Sequence, residues 1–251
     1  MSSTPRKVVV VGAGPVGCLA AMAFAKQGWR VDIYEGRPDM RLPSSKAENQ
    51  QRSINLAISH RGIAAIEAVD PAVSQRFMQT VIPMRGRMIH SLKGDLDSQL
   101  YDRDGQCINS IDRALLNEEL LDEASASGNI RIFFKHKVVA ADFDQKSITM
   151  RNMDTKEGTC AKPYHYKDRV IILGDAAHSM VPFYGQGLNC GLEDVRILMT
   201  LFLQEGVKAT SPSAKAGSTD NIDQSLVRAL DRYSEGRYED LIAICELAMD
   251  N

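Results

Sequence analysis

KVVVVGAGPVGCLAAMAFA (residues 7–25), followed closely by RVDIYE (residues 30–35), decides how this chain starts to fold. Residues 7–12 are a β-branched run. They predict a buried parallel strand, because such strands read as unbroken apolar stretches. Residues 15–27 are rich in alanine and predict a helix whose small side chains let it lie close to a sheet. Residues 30–35 predict a second strand ending on an acid. Between strand and helix, Gly12, Gly14 and Gly17 stand in GxGxxG spacing. Alone that spacing is a weak signal. With a strand before it, a helix after it and Glu35 about twenty residues on, it is a strong one for an adenine dinucleotide. Gly12 permits the tight turn, Gly14 lets the backbone approach a pyrophosphate, and Gly17 lets the helix pack on the strand. The helix start offers free N–H groups and partial positive charge to the phosphates. Glu35 suits a ribose diol. A glycine-rich turn with no ligand is the plainer alternative, and it leaves the agreement of these features without a cause. The motif does not separate NAD from FAD. Arg37 is compatible with a phosphate-bearing NADP, but an exposed loop arginine is the simpler reading. Residues 8–25 are long enough to span a bilayer, yet the glycines and Pro15 divide them into strand, turn and helix.

A second stretch, RVIILGDAAHSMVPFYGQGLN (residues 169–189), points to FAD rather than NAD. FAD continues beyond its pyrophosphate into a ribityl chain, a row of hydroxyls, and then a flavin ring. Asp175 at a strand end can accept hydrogen bonds from those hydroxyls. Ala176 and Ala177 leave room against the backbone, and Gly185 and Gly187 let the chain turn under the ring. The next helix starts near Leu188 and Asn189, and a helix N-terminus stabilises negative charge on a flavin by roughly 0.3–2 kcal/mol. Taken alone, Asp175 reads as a plain helix cap; inside this string it does not. His178 reads as a residue that shapes the loop rather than as a base.

The bulk numbers limit the rest. The chain has 251 residues, 44% hydrophobic and 25% charged, with a net charge of −2. That is a soluble globular composition, enough for one large or two small domains, without the basic face nucleic acid requires. Five scattered cysteines with no CxxC pair predict free thiols in a reducing compartment. His90 and His136 have no acid or cysteine at metal-like spacing, so no metal is expected. Ser59 and His60 lack the acid that would complete a hydrolytic triad. Further helices are expected at 59–69 and 71–81, the latter started by Pro71, and after Asp112, which can cap a stripe of Leu115, Leu116, Leu120, Leu121 and Ala124. Short strands are expected at 84–92, 99–110, 130–134, 138–143 and 147–151, and a buried strand at 169–173. Residues 37–51 read as a loop, 152–168 show no period, and 187–203 and 222–249 read as helices. The expected division is an FAD-binding domain over 1–206, a flexible linker over 207–221 and a helical segment over 222–251.

GDAAH followed by PFYGQGLN resembles the second FAD motif of aromatic-ring flavoprotein hydroxylases. QRSINLAISHRG (51–62), IPMRGRMIHSLKG (82–94) and KPYHYKDRVIILGDAAHSMVPFYGQGLNCGLEDV (162–195) narrow the resemblance to the kynurenine 3-monooxygenases, fungal ones in particular. The resemblance covers nearly the whole chain in two blocks. It implies an α/β, Rossmann-like FAD-binding fold and an enzyme that oxidises NADPH, forms a flavin hydroperoxide with O2 and hydroxylates the ring of L-kynurenine. It implies FAD contacts at Val16, Tyr34, Glu35, Arg37, Ala57, Arg113, Val138, Asp175, Leu188 and Asn189, beside Gly12, Gly14 and Gly17. It implies that Arg87 pairs with the kynurenine carboxylate, assisted by Tyr101, and that Asn251 binds substrate. Pro182 and Phe183 would line the flavin face, with no side chain itself catalytic. Without the resemblance, Arg87 and Arg85 are equal candidates for a solvated surface charge, and Tyr101 for a half-buried strand residue. A mitochondrial outer-membrane location is likewise implied.

The chain also departs from that family. A GADG-type motif and the substrate-covering sheet are absent between about residues 152 and 162, where KEGTCAKPYH runs straight across. The family's C-terminal membrane region is not seen either, so the chain itself reads as soluble. A dry pocket over the flavin needs that sheet as a wall, and its loss would bare an apolar patch. The expectation is a retained FAD-domain topology that hydroxylates kynurenine poorly or not at all. The alternatives are a non-catalytic FAD-binding remnant and an NAD-linked dehydrogenase, the latter leaving Asp175 and the Gly185–Asn189 turn without a role.

Overall fold

A computed structural model of the chain describes residues 5–50, 55–143, 147–151, 165–178, 186–210 and 222–249. Strand β1 (Lys7–Val11), helix α1 (Pro15–Lys26) and strand β2 (Arg30–Glu35) form the expected unit, with β1 and β2 parallel and Val9 opposite Asp32. Gly12 takes φ +100°, the left-handed region, and a Cβ on Gly17 would lie 2.0 Å from the Gly12 carbonyl oxygen. Both positions therefore require glycine.

Residues 37–51 are not all loop: α2 (Pro43–Gln50) forms there. Its sequence PSSKAENQ carries no apolar stripe, so periodicity gave no sign of it. Midway along α2, Lys46 forms an ion pair of 2.7 Å with Glu118. Strand β3 (Asn55–Ile58), helix α3 (His60–Val69) and helix α4 (Pro71–Thr80) follow. Asp70 caps α4 by accepting from the N–H groups of Ala72 and Val73. Then come β4 (Ile82–Met84), β5 (Gly86–His90), β6 (Leu96–Leu100) and β7 (Ile108–Asp112). The strand read over 99–110 is thus two strands parted by a polar stretch, in which Gly105 takes φ +85°.

Asp112 caps α5 (Arg113–Ala126) with hydrogen bonds of 2.8 and 2.9 Å from the Ala114 and Leu115 N–H groups. Leu116, Leu120, Leu121 and Ala124 of that helix are buried. Next are β8 (Ile130–Phe134), β9 (Lys137–Asp142), β10 (Ser147–Arg151), β11 (His165–Tyr166) and β12 (Val170–Ile171). Three helices complete the described chain: α6 (Asp175–His178), α7 (Gln186–Gln204) and α8 (Gln224–Met249).

Among the described residues the parallel sheet has the order β1-β2-β8, so β1 is an edge strand. The buried strand expected at 7–12 is consequently half bare, with Val11 60% exposed and Val9 39%. The strand expected over 169–173 is shorter than read and pairs antiparallel with β11 instead of joining the parallel sheet. Three other sheets among the described residues are β3-β7-β4 and the antiparallel pairs β5-β6 and β9-β10. The core lies around α1, whose residues 18–25 are all buried, with α7 packed on α1 and on α3. Helix α8 covers α7 with Leu226, Ala229, Leu230, Tyr233 and Leu241. Each fully buried Leu contributes about 1.5–3 kcal/mol. Of the stretch read as a linker, Ala209 accepts a hydrogen bond from the Arg6 N–H and Thr210 bridges Pro5; residues 211–221 lie outside the described residues. No helix among the described residues is long and apolar enough to cross a membrane.

Candidate functional site

The first turn is held by its own acid. Glu35 Oε2 accepts from the Ala13 N–H at 2.9 Å, and Oε1 accepts from the backbone N–H and Nε of Arg37, each at 2.9 Å. Burial would raise the pKa of this carboxyl, but the Arg37 guanidinium and the N–H groups of Arg37 and Ala13 outweigh it and hold the group below the usual carboxylate range. Glu35 therefore stays an acceptor. Helix α1 has Gly14 as its N-cap with no side chain bonded there. A Cβ on Gly12 or Gly14 would meet nothing within 4 Å, so the space above the turn is open. Phosphate oxygens fit such a floor of backbone beside an uncapped helix start.

Strand β9 brings Val138 to the same end. The His136 N–H donates to the Glu35 carbonyl at 2.8 Å, and a Cβ on Gly36 would lie 3.3 Å from Lys137 Cβ. Tyr34 stacks on Phe133 with ring centroids 4.9 Å apart. Cys18 lies beneath the turn, where burial pushes its thiol up to about 12 and leaves it without nucleophilic character.

The second motif packs directly on the first through Val16. Gly174, at φ +59°, precedes Asp175, and a Cβ on it would lie 3.2 Å from Val16 Cγ2. A Cβ on Gly191 of α7 would lie 2.7 Å from Val16 Cγ2 and 3.2 Å from Gly174 Cα. Asp175 is exposed at the start of α6, its Oδ1 lying 3.7 Å from where a Cβ of Gly187 would stand. The two glycine turns thus share a wall, one leading to Glu35 and the other to Asp175.

Asn189 ties a third element into this floor. Its Nδ2 donates to the Ala57 carbonyl at 2.9 Å and its Oδ1 accepts from the Ser59 N–H at 2.8 Å. A Cβ on Gly62 would collide with that Oδ1 at 2.6 Å. Leu188 is half-buried beside it. Arg113 is exposed at the first position of α5, after a strand in which Ser110 lies opposite Ala57.

The residues that the resemblance assigns to substrate are on other elements of the fold. Arg87 on β5 faces Gln99 on β6, and its Nε and Nη2 donate to Gln99 Oε1 at 3.2 and 3.1 Å. The Tyr101 N–H donates to the Arg85 carbonyl at 3.0 Å. By the two-residue period of strands, Arg85, Arg87, Gln99 and Tyr101 share one face of the hairpin. That hairpin is exposed at every residue except Gly86. Pro182, Phe183, Gly185 and Asn251 lie outside the described residues.

Gly62, Asp194 and Arg237 also shape the site with no motif to mark them, and Ser59 contributes its backbone N–H. Nothing in spacing shows that the missing side chain of Gly62 makes room for Asn189, far along the chain. Asp194 and Arg237 carry no local signal at all. His178 is buried, with Nε2 donating to Asp194 Oδ2 at 2.5 Å, as a residue that shapes the loop.

The FAD binding domain family matches residues 6–162 and 155–210 of this chain. The two matched stretches overlap where KEGTC runs into KPYHY. The kynurenine 3-monooxygenase of Candida albicans is 33% identical over 381 aligned positions, covering 98% of this chain and 79% of the relative. That of Saccharomyces cerevisiae is 31% identical over 388, covering 97% and 80%. Both alignments far exceed the 251 residues available, so more than a hundred positions of each relative have no counterpart here. Among solved structures, the 2-methyl-3-hydroxypyridine-5-carboxylic acid oxygenase superposes with a TM-score of 0.70 at 14% identity, covering 99% of this chain and 91% of that one. The P. aeruginosa PqsL structure in complex with 2-aminobenzoylacetate does so at 0.67 and 14%, covering 98% and 95%. These two show the fold. With the FAD binding domain matched over most of its length and a relative one-third identical along nearly all of it, the chain belongs to the kynurenine 3-monooxygenases, a family of FAD-dependent monooxygenases.

Proposed function

We propose that this chain binds one FAD across its two glycine turns and, with NADPH as reductant and O2 as co-substrate, hydroxylates L-kynurenine to 3-hydroxykynurenine. The observation that carries the reading is the contact of Val16 with Gly174 and Gly191, which makes the two turns one continuous floor. A dehydrogenase built on the first turn alone has no use for the second. The comparisons favour neither that reading nor a non-catalytic remnant.

The residues divide the work by chemistry. Gly12, Gly14 and Gly17 with the start of α1 would hold the pyrophosphate. Glu35, Tyr34, Arg37 and Val138 would hold the adenosine end. Asp175 would accept hydrogen bonds from the ribityl hydroxyls, while Leu188, Asn189 and Ala57 would sit beneath the ring, and Arg113 would close that side. When bound, FAD supplies the electron transfer from NADPH and the activation of oxygen. Arg87 is suited to the kynurenine carboxylate because its fork matches two oxygens at once, with Tyr101 on the same face. Pro182, Phe183 and Asn251 are assigned by family likeness to the flavin face and the substrate. Location at the mitochondrial outer membrane is proposed on the same ground.

Among the described residues nothing covers the β5-β6 hairpin at Arg87 or the neighbouring Tyr101, so water is poorly excluded there. We therefore expect hydroxylation with poor coupling, most reducing equivalents leaving as hydrogen peroxide. The test is to purify the chain, record its flavin absorbance and follow NADPH oxidation with and without kynurenine, measuring 3-hydroxykynurenine against peroxide. Bound flavin, kynurenine-stimulated oxidation and excess peroxide are expected. A colourless protein that gains no flavin on titration would overturn the proposal.

A further inference from the structure

The C-terminal helix carries a charged residue where none is easily tolerated. Arg237 on α8 has a side chain only 1% exposed, facing Asp194 on α7, which is 0% exposed. Its Nε donates to Asp194 Oδ1 at 2.6 Å, its Nη2 donates to the Cys190 carbonyl at 3.0 Å, and its Nη1 lies 3.1 Å from Glu193 Oε2. Glu193 is also paired with Arg61 of α3 and with Arg196. The other carboxylate oxygen of Asp194 points to the second turn. Asp194 Oδ2 accepts from the Gly174 N–H at 2.8 Å and from His178 Nε2 at 2.5 Å.

A buried ion pair contributes little net stability over an apolar pair of the same shape, because desolvation offsets the Coulomb attraction. What it does supply is fixed direction. Here both oxygens of one carboxylate are committed, one to Arg237 and the other to the two ends of the Gly174–His178 turn. Asp175, the acid assigned to the ribityl chain, sits inside that turn.

We infer that Arg237 is a positioning residue for the FAD site: acting through Asp194, it fixes the turn that presents Asp175, so α8 belongs to the flavin site without lining it. The inference rests on the functional reading above. Removing the guanidinium frees Asp194 to rotate, and the Gly174 N–H and His178 lose a fixed acceptor. The turn then samples other orientations, and Asp175 no longer meets the cofactor at one angle.

The test compares Arg237→Gln, Arg237→Lys and Leu230→Ala. Leu230 is a buried apolar residue of the same helix, 3% exposed, and its loss loosens α8 without touching the ion pair. FAD dissociation constants are measured by quenching of flavin fluorescence, and thermal unfolding is recorded without FAD. R237Q is expected to weaken FAD by about ten- to a hundredfold, the range for a lost charge-assisted hydrogen bond. R237K, which keeps the charge and one donor, should recover most of that loss. L230A should lower the melting temperature and leave FAD affinity within about twofold, since its effect is a cavity in the helix packing. Equal weakening by R237Q and L230A would reduce Arg237 to a packing role and overturn the inference. Unchanged FAD affinity in R237Q would also overturn it. If R237Q does not fold, Asp194→Asn takes its place: FAD weakened well beyond L230A supports the inference, and FAD affinity equal to that of L230A overturns it. If the unsubstituted chain binds no FAD, the functional reading falls as well; if it binds and the Arg237 variants bind equally, only the present inference falls.

Discussion

The floor beneath the two glycine turns and the β5-β6 hairpin are built to opposite standards. In the floor, glycines are required by neighbours at 2.0–2.7 Å from an added Cβ. Asn189 and Asp194 spend their polar atoms on three other elements. On the hairpin, Met88, Leu96 and Leu100 are 55%, 63% and 71% exposed, and among the described residues Arg87 bonds to Gln99 across the strand. The difference teaches that, among the described residues, the region proposed to hold FAD is closely packed while the hairpin proposed to meet the substrate is bare. More than a hundred aligned positions of each relative have no counterpart in this chain.

Substitutions should separate the halves cleanly. The largest effect is expected from Gly17→Ala, whose Cβ would stand 2.0 Å from the Gly12 carbonyl oxygen. Helix and strand must part, so FAD affinity should fall by about a hundredfold or more and stability by about 3 kcal/mol or more, measured by titration and urea unfolding. Next, Leu198→Ala in the buried face of α7 should cost about 2–5 kcal/mol. Leu100→Ala on the hairpin should stay within about 0.5 kcal/mol and improve solubility. A large cost at Leu100 would mean the hairpin is covered after all. Arg87→Ala should leave unfolding unchanged within about 0.5 kcal/mol while abolishing the stimulation of NADPH oxidation by kynurenine.

A further effect, set by pH, concerns the cap of α8. Asp223 accepts from the Ser225 and Leu226 N–H groups and pairs with Arg6. Burial would raise its pKa, but the Ser225 hydroxyl and Arg6 outweigh it and bring it to about 2, against 3.8 for an unperturbed group. Because the folded value is the lower one, its stabilising contribution is complete above pH 3.8 and fades as pH falls through about 2. The stability gap between the unsubstituted chain and Asp223→Asn should be about 1 kcal/mol at pH 5 and markedly smaller near pH 2. Unfolding at the two pH values checks it.

Most of the flavin half was legible in the sequence because its signals are local. A strand, a glycine turn and a helix start lie within a few residues, and Asp112 caps α5 from the adjacent position. What was not legible is of two kinds. Helix α2 has no apolar face, so periodicity could not show it. The exposure of β1, the short antiparallel β12 and the link from Arg237 to Asp194 depend on which elements meet in space. A strand reads as buried whether or not a neighbour is present on its second side, and a carboxylate reads as a surface acid until its partner arrives from another helix.

The central claim is that both turns grip opposite ends of a single FAD. It is tested most directly by titrating FAD, ADP and FMN into the unsubstituted chain, Glu35→Gln and Asp175→Asn. One FAD per chain is predicted, with E35Q weakening FAD and ADP but not FMN, and D175N weakening FAD and FMN but not ADP. Two FAD molecules per chain, or full FAD affinity in D175N, would contradict it.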